Sequence, residues 1–130
     1  MVIDTSALVA LLSMEPEAAR IAQAIEADPV RLISAATLVE AAIVVEARQG
    51  EAATKELDLL LARAGVQVEA VTAAQAELAR QGWHRFGKGR HAAGLNFGDC
   101  FGYALSKATG EALLFKGEDF TNTDVDAVRY

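Results

Sequence analysis

Four carboxylates in this chain stand where short apolar runs give way to helices or turns. Asp4 follows Met1-Val2-Ile3 and precedes Thr5-Ser6. Glu40 lies early in the helical pattern after Leu32-Ile33. Asp99 opens another helix, three residues after Asn96, and Asp119 follows Leu113-Leu114-Phe115. In a parallel α/β sheet such junctions converge on the edge formed by the carboxyl ends of the strands, where ligands bind. Carboxylates gathered there repel one another unless they are protonated or neutralised. A hard divalent cation with oxygen ligands is the ordinary solution, and Mg2+ or Mn2+ suits carboxylates and water. No Cys/His spacing suggests zinc. Each acid also has a structural role open to it. Asp4 could cap the helix that follows, and Thr37-x-x-Glu40 matches a capping box. Asp99 could favour a helix dipole behind an Asn96 cap, and Asp119 could be a solvated turn acid. The joint placement of the four favours a site.

These acids must be positioned by alternating strands and helices. Val2-Ile3 reads as a strand and Ala7 to Leu12 as a helix. Pro16 suits the first turn of a second helix running to Ala27, which Asp28-Pro29 ends. Arg31 to Ser34 is a strand, and Thr37 to Gln49 and Ala52 to Ala64 are helices closed by Gly50 and Gly65. Val66 to Val71 alternates as a strand does. Thr72 to Gln81 is a helix whose Thr72-x-x-Gln75 resembles a capping box. Gly82 to Phe97 is a polar, glycine-containing stretch. A helix to Ala108 follows, closed by Gly110, then a strand at Ala112 to Phe115 and a short last strand at Val128. Strands separated by helices predict a parallel sheet covered on both faces.

Composition fits one domain spanning residues 1–130, 52% hydrophobic, with a formal net charge of −6. That charge argues against a passive nucleic-acid binder but not against an enzyme whose acids surround a metal. With the single cysteine, Cys100, no internal disulfide forms, and a reducing cytoplasm is the expected compartment. No run approaches the ~20 apolar residues of a membrane span, and no signal peptide is expected.

Several further residues bear on chemistry. Between Glu77 and Asp99 there is no acid, while Arg80, Arg85, Lys88 and Arg90 fall there with His84, His91, Trp83 and Phe86. This block could guide RNA phosphates and stack bases. Equally it could be a solvated helix end and loop, with Trp83 in the core. Gly82 to Lys88 matches part of a phosphate-binding loop but lacks the following Ser or Thr and the preceding strand. Cys100 reads as a buried packing residue, and Glu15, Glu17, Glu46 and Glu56 as solvated helix faces. The helix from Thr37 to Gln49 and the Leu57-Leu59-Leu60-Leu61 run carry more apolar residues than one face needs, so burial in a core or an interface is expected.

Four segments together resemble the PIN-domain ribonucleases, and more narrowly the VapC toxins of bacterial toxin–antitoxin pairs. They are Val2-Ile3-Asp4-Thr5-Ser6-Ala7, the Thr-Leu-Val-Glu start around Glu40, Asn96 to Ala104, and Leu114 to Phe120. The resemblance runs along essentially the whole chain, and Asn-Phe-Gly-Asp-Cys is its most specific piece. It implies a PIN-like three-layer α/β/α fold with a central parallel sheet of four to five short strands. It further implies an endoribonuclease dependent on Mg2+, with Mn2+ as a substitute. Asp4, Glu40, Asp99 and Asp119 would be its catalytic acids, with Asp4 and Asp99 the chief metal ligands. Thr5 or Ser6 would supply a supporting hydroxyl, and Glu118 competes with the favoured Asp119 for the fourth place. Arg85, Lys88 and Arg90 are the candidate RNA contacts. The implied partners are an RNA substrate, a cognate VapB-like antitoxin and a second copy of the chain, with no membrane. Two other readings are a phosphatase with an aspartyl nucleophile, which would want a second acid where Ser6 stands, and a non-catalytic module that keeps only the fold.

Overall fold

The computed structural model describes residues 1–130. Ten elements follow the chain: β1 Val2–Ile3, α1 Thr5–Leu12, α2 Ala18–Ala27, β2 Leu32–Ser34, α3 Ala35–Gln49, α4 Ala52–Arg63, β3 Gln67–Glu69, α5 Ala73–Phe86, α6 Asp99–Thr109 and β4 Leu113–Leu114. The four strands are parallel in the order β3-β2-β1-β4, within the range expected. Val128 does not add a fifth strand: the tail contributes one isolated parallel bridge, Leu113 to Ala127.

Successive strand residues face opposite ways, and this divides the core. Ile3, Ile33 and Leu114 point into a cluster with Leu8, Ile21 and Leu57. Their neighbours Val2, Leu32 and Leu113 point into a second cluster with Phe86, Tyr103 and Leu105. Helices α1 to α4 therefore cover one face of the sheet and α5 with α6 the other. Where both faces are covered, at β1, Leu32-Ile33 of β2 and β4, the strands are apolar and buried, whereas the edge strand β3 is polar and largely exposed.

Several boundaries depart from the sequence expectation; α1 begins at Thr5 instead of Ala7, and β3 is shorter than Val66 to Val71. Helix α3 begins at Ala35, not Thr37, because the Ser34 hydroxyl accepts a hydrogen bond from the Ala36 amide at 3.3 Å and caps the helix directly off β2. The Thr37-x-x-Glu40 capping box therefore does not form. Thr37 is buried inside the helix, and Glu40 lies in its second turn. Helix α2 starts at Ala18, with Pro16 in the preceding turn. Helix α5 runs five residues further than expected, to Phe86. Its Gly82 is not a break. A Cβ there would stand 2.5 Å from Cδ1 of the Tyr103 ring, so glycine is what lets α5 and α6 pack. The Thr72 cap holds as read, its hydroxyl accepting from the Gln75 amide at 3.1 Å.

Candidate active site

Asp4 is the residue between β1 and α1, and it caps α1. Its Oδ2 accepts from the Ser6 amide at 2.9 Å and the Ser6 hydroxyl at 2.7 Å. Its Oδ1 is buried with no hydrogen-bond partner at all. The capping role and a ligand-facing role thus fall to different oxygens of one carboxyl group. Ser6 Oγ also accepts from the Lys116 amide at 2.9 Å, tying the end of β1 to the turn after β4. That tie brings the turn bearing Asp119 beside Asp4.

Glu40 arrives from α3. Its Oε2 accepts from the Thr5 hydroxyl at 2.6 Å, so Thr5 fixes the second acid while Ser6 fixes the first. The loop before α6 closes tightly on it. A Cβ on Gly98 would fall 2.1 Å from Glu40 Oε1, so any side chain there would displace the Glu40 carboxylate. Asp99 is held by a reciprocal pair: the Asn96 amide donates to Asp99 Oδ2, and the Asp99 amide to Asn96 Oδ1, each at 2.9 Å. This Asn96 cap was legible in the sequence. It engages one carboxyl oxygen of Asp99 and leaves the other without a hydrogen bond.

Asp4, Thr5, Ser6, Glu40, Asn96, Asp99 and Asp119 all line one cavity of about 350 Å³. Glu118 does not line it, which favours Asp119 as the fourth acid. The electrostatics agree with the geometry. Burial raises the Asp99 carboxyl to about 7, and the neighbouring Asp4, Asp119 and Glu40 charges push the same way, against the Asn96 amide. Asp4 is raised as well, by burial first, with Glu40 adding to it against the Ser6 hydrogen bonds.

The donor set suits a hard cation. It is all oxygen, the charges of Asp4, Asp119 and Glu40 help to raise the Asp99 carboxyl, and Asp4 Oδ1 is an orphaned buried acceptor of the kind a cation satisfies. No three acidic side chains are drawn together into a finished shell. A Mg2+ that keeps several waters does not need one.

Sequence reasoning missed two cations that line this cavity, Arg48 and Lys116. The spacing Glu40, Val44, Arg48 was the available signal for the first, since residues four apart share a helix face. Glu15 and Glu17 are not simply solvated faces as expected. Both form ion pairs with Lys116, the Glu17 contact at 3.2 Å, and Glu15 also lines the cavity. Glu46 and Glu56 are exposed as expected.

The basic stretch lies elsewhere. None of Arg85, Lys88 and Arg90 lines the acid cavity. Arg85 pairs with Asp124 at 3.0 Å, and the Arg90 guanidinium sits 4.5 Å from the centre of the Trp83 ring. Trp83 is not in the core; it is 41% exposed. With Phe97 and Phe101 it borders a groove of about 980 Å³ between α5 and α6 that holds Arg80, Arg85 and only one acid, Glu77. Residues Gly82 to Phe86 are helical, which removes any phosphate-binding loop. Cys100 is buried, its thiol is pushed up to about 11 by burial and by Asp99, and it donates to the Asn96 carbonyl at 3.2 Å. It is a packing residue.

Of the two expectations for helices α3 and α4, a core or an interface, the core accounts for only part of their apolar side chains. Ala41, Val45, Leu57 and Leu61 are buried, whereas Val39, Ile43 and Leu59 are each more than half exposed. No helix is long and apolar enough to cross a membrane.

The sequence pattern of the PIN domain matches residues 1–126. A VapC ribonuclease of Mycobacterium bovis is 59% identical over 128 residues, 98% of each chain. A ribonuclease VapC of Mycolicibacterium smegmatis is also 59% identical, covering 98% of this chain and 99% of its own. Among solved structures, a VapC toxin of Mycobacterium tuberculosis that cleaves the sarcin–ricin loop superposes with a TM-score of 0.79 at 23% identity, covering 99% of this chain and 98% of that one. A toxin–antitoxin complex from Klebsiella pneumoniae gives a TM-score of 0.70 at 21% identity over 99% of this chain and 97% of that one. The two structures attest the fold.

Proposed function

Since this chain belongs to the PIN-domain family, among relatives that are VapC ribonucleases, we propose that it is a metal-dependent endoribonuclease. It is the toxin of a type II toxin–antitoxin pair and hydrolyses an RNA phosphodiester bond, residues 1–130 acting as one domain. The observation that carries the catalytic assignment is the single cavity lined by Asp4, Glu40, Asp99 and Asp119. Buried Asp4 and Asp99 would hold the cation, Mg2+ with Mn2+ as a substitute. When bound, that cation supplies charge stabilisation at the phosphoryl group and acidifies a water.

The protein's own groups do the rest. Ser6 orients Asp4 through Oδ2, so that Oδ1 is presented to the ligand. Thr5 donates to Glu40 Oε2 and fixes that carboxyl in one orientation. Glu40 and Asp119 are the acids placed to take the proton of the attacking water or to hold waters around the cation. Burial and its acidic neighbours raise the Asp99 carboxyl to about 7, so binding of a cation there would compete with a proton and would become more favourable as pH rises.

The partners follow from surfaces not used by the fold. Exposed Val39, Ile43 and Leu59 support a homodimer contact. The apolar groove of about 280 Å³ lined by Leu11, Ala22, Ile25, Leu60 and Val66 supports docking of an amphipathic antitoxin segment. An arginine from that segment would compete with the cation for the acids.

The deciding experiment is incubation of the purified protein with total RNA, with Mg2+, with Mn2+ and with chelator. Cleavage is expected with either metal, and it should disappear with chelator and in Asp99→Asn. Cleavage that persists in a folded Asp99→Asn protein removes the assignment. Light scattering of the chain alone tests the dimer, and a monomer counts against it.

A further inference from the structure

A cavity lined by five carboxylates, Asp4, Glu15, Glu40, Asp99 and Asp119, repels a polyanion. One divalent cation leaves it net negative, so an RNA strand entering needs positive charge from the protein as well. Two cationic side chains line the cavity. Lys116 is committed to Glu15 and Glu17. Arg48 has neither an ion pair nor a side-chain hydrogen bond, although it lines the same cavity as the acids.

Its place in α3 is informative. Glu40, Val44 and Arg48 recur at four-residue spacing along one face, and all three line the cavity. Eight residues of helix put the Arg48 Cα about 12 Å along the axis from that of Glu40. Helical side chains lean back towards the N-terminus, so the long Arg48 side chain extends from there towards the acids without reaching Glu40. The guanidinium fork matches two phosphate oxygens. The basic stretch at the end of α5 and just beyond it does not take this part, because none of Arg85, Lys88 and Arg90 borders the cavity.

We propose that Arg48 is a substrate-binding residue that grips the RNA phosphate flanking the scissile one and so sets the strand across the acids. The proposal rests on the ribonuclease reading above. The competing explanation is that Arg48, in the last turn of α3, only complements the helix dipole, which would make it a stability residue.

The test is made on the full chain with two probes. The first is binding of a labelled, mixed-sequence single-stranded oligoribonucleotide to the Asp99→Asn protein, with and without Arg48→Ala, as salt is raised. Arg48→Ala should weaken binding about tenfold and lower the salt slope by roughly one. Arg48→Lys should restore the slope but not the full affinity, because it keeps the charge and loses the fork. The second probe is metal-dependent cleavage of total RNA by the protein with intact acids. Arg48→Ala should raise KM and leave kcat nearly unchanged. An unchanged salt slope and KM, or a loss confined to melting temperature, overturns the proposal. If the unsubstituted protein shows no metal-dependent, Asp99-dependent cleavage, it is the ribonuclease reading that fails, and the salt slope still reports on Arg48 separately.

Discussion

Replacing Asp99 by Asn should make the metal-free protein more stable, and by an amount that grows with pH. Asp99 is 8% exposed, and its carboxyl is raised from the ordinary 3.8 to about 7, chiefly by burial and further by Asp4, Asp119 and Glu40. A carboxyl raised in the folded state costs nothing below pH 3.8, where it is protonated in both states. As pH climbs, the unfolded chain releases the proton first, and native stability falls until the folded group ionises near pH 7. At roughly 1.4 kcal/mol for each tenfold in proton affinity, the full penalty is about 4 kcal/mol above pH 7. The cavity opens to solvent, which screens the charge, so about 2 kcal/mol is the gain to expect. Asn keeps an oxygen that can accept from the Asn96 amide, as Asp99 Oδ2 does at 2.9 Å, so the helix start is not lost.

For a domain of this size 2 kcal/mol corresponds to roughly 5–10 °C in melting temperature. The assay is thermal unfolding of both proteins in chelator from pH 4 to pH 8. The two curves should nearly meet at pH 4 and separate steadily to pH 7. Added Mg2+ should then raise the parent and leave Asp99→Asn where it was. A difference independent of pH, or a less stable variant at pH 8, would refute the reasoning that these carboxylates repel one another across a shared cavity.

Other expectations are more local. Gly98→Ala should impair cleavage, because its Cβ would lie 2.1 Å from Glu40 Oε1 and push that carboxylate aside, with little change in chemical unfolding because the end of the Glu40 side chain can swing away; wild-type cleavage in this variant would mean that the displaced Glu40 still serves the site. Asp119→Asn should reduce cleavage by at least about tenfold while Glu118→Gln is silent, since only the former lines the cavity. The reverse ranking would exchange their assignments. Replacing Arg85, Lys88 and Arg90 together by Ala should weaken RNA binding and flatten its salt dependence without altering Mg2+ affinity measured by calorimetry. Unaltered RNA binding would identify the stretch as a solvated surface.

What the sequence determined by itself is what depends on neighbours along the chain. The strand-to-helix position of Asp4, the Asn96 cap before Asp99, the Thr72 cap and the left-handed stop at Gly110 are set within a few residues, and each was legible. So was the convergence of four acids, because in a parallel sheet chain order dictates which junctions share an edge. Tertiary structure decided everything that rests on contacts between distant residues. The Ser6 tie to Lys116 spans 110 positions and exists only because β1 pairs with β4. The Lys116 pairing with Glu15 and Glu17 and the presence of Asp119 but not Glu118 in the cavity lining depend on how the turn after β4 lies on the cavity. The α5 extension through Gly82 was hidden for the same reason. Glycine reads locally as a helix breaker, and only the Tyr103 ring packed against it turns the missing side chain into the condition for two helices to meet. Local preferences are worth tenths of a kcal/mol to about one kcal/mol per residue, and a packed ring outweighs them.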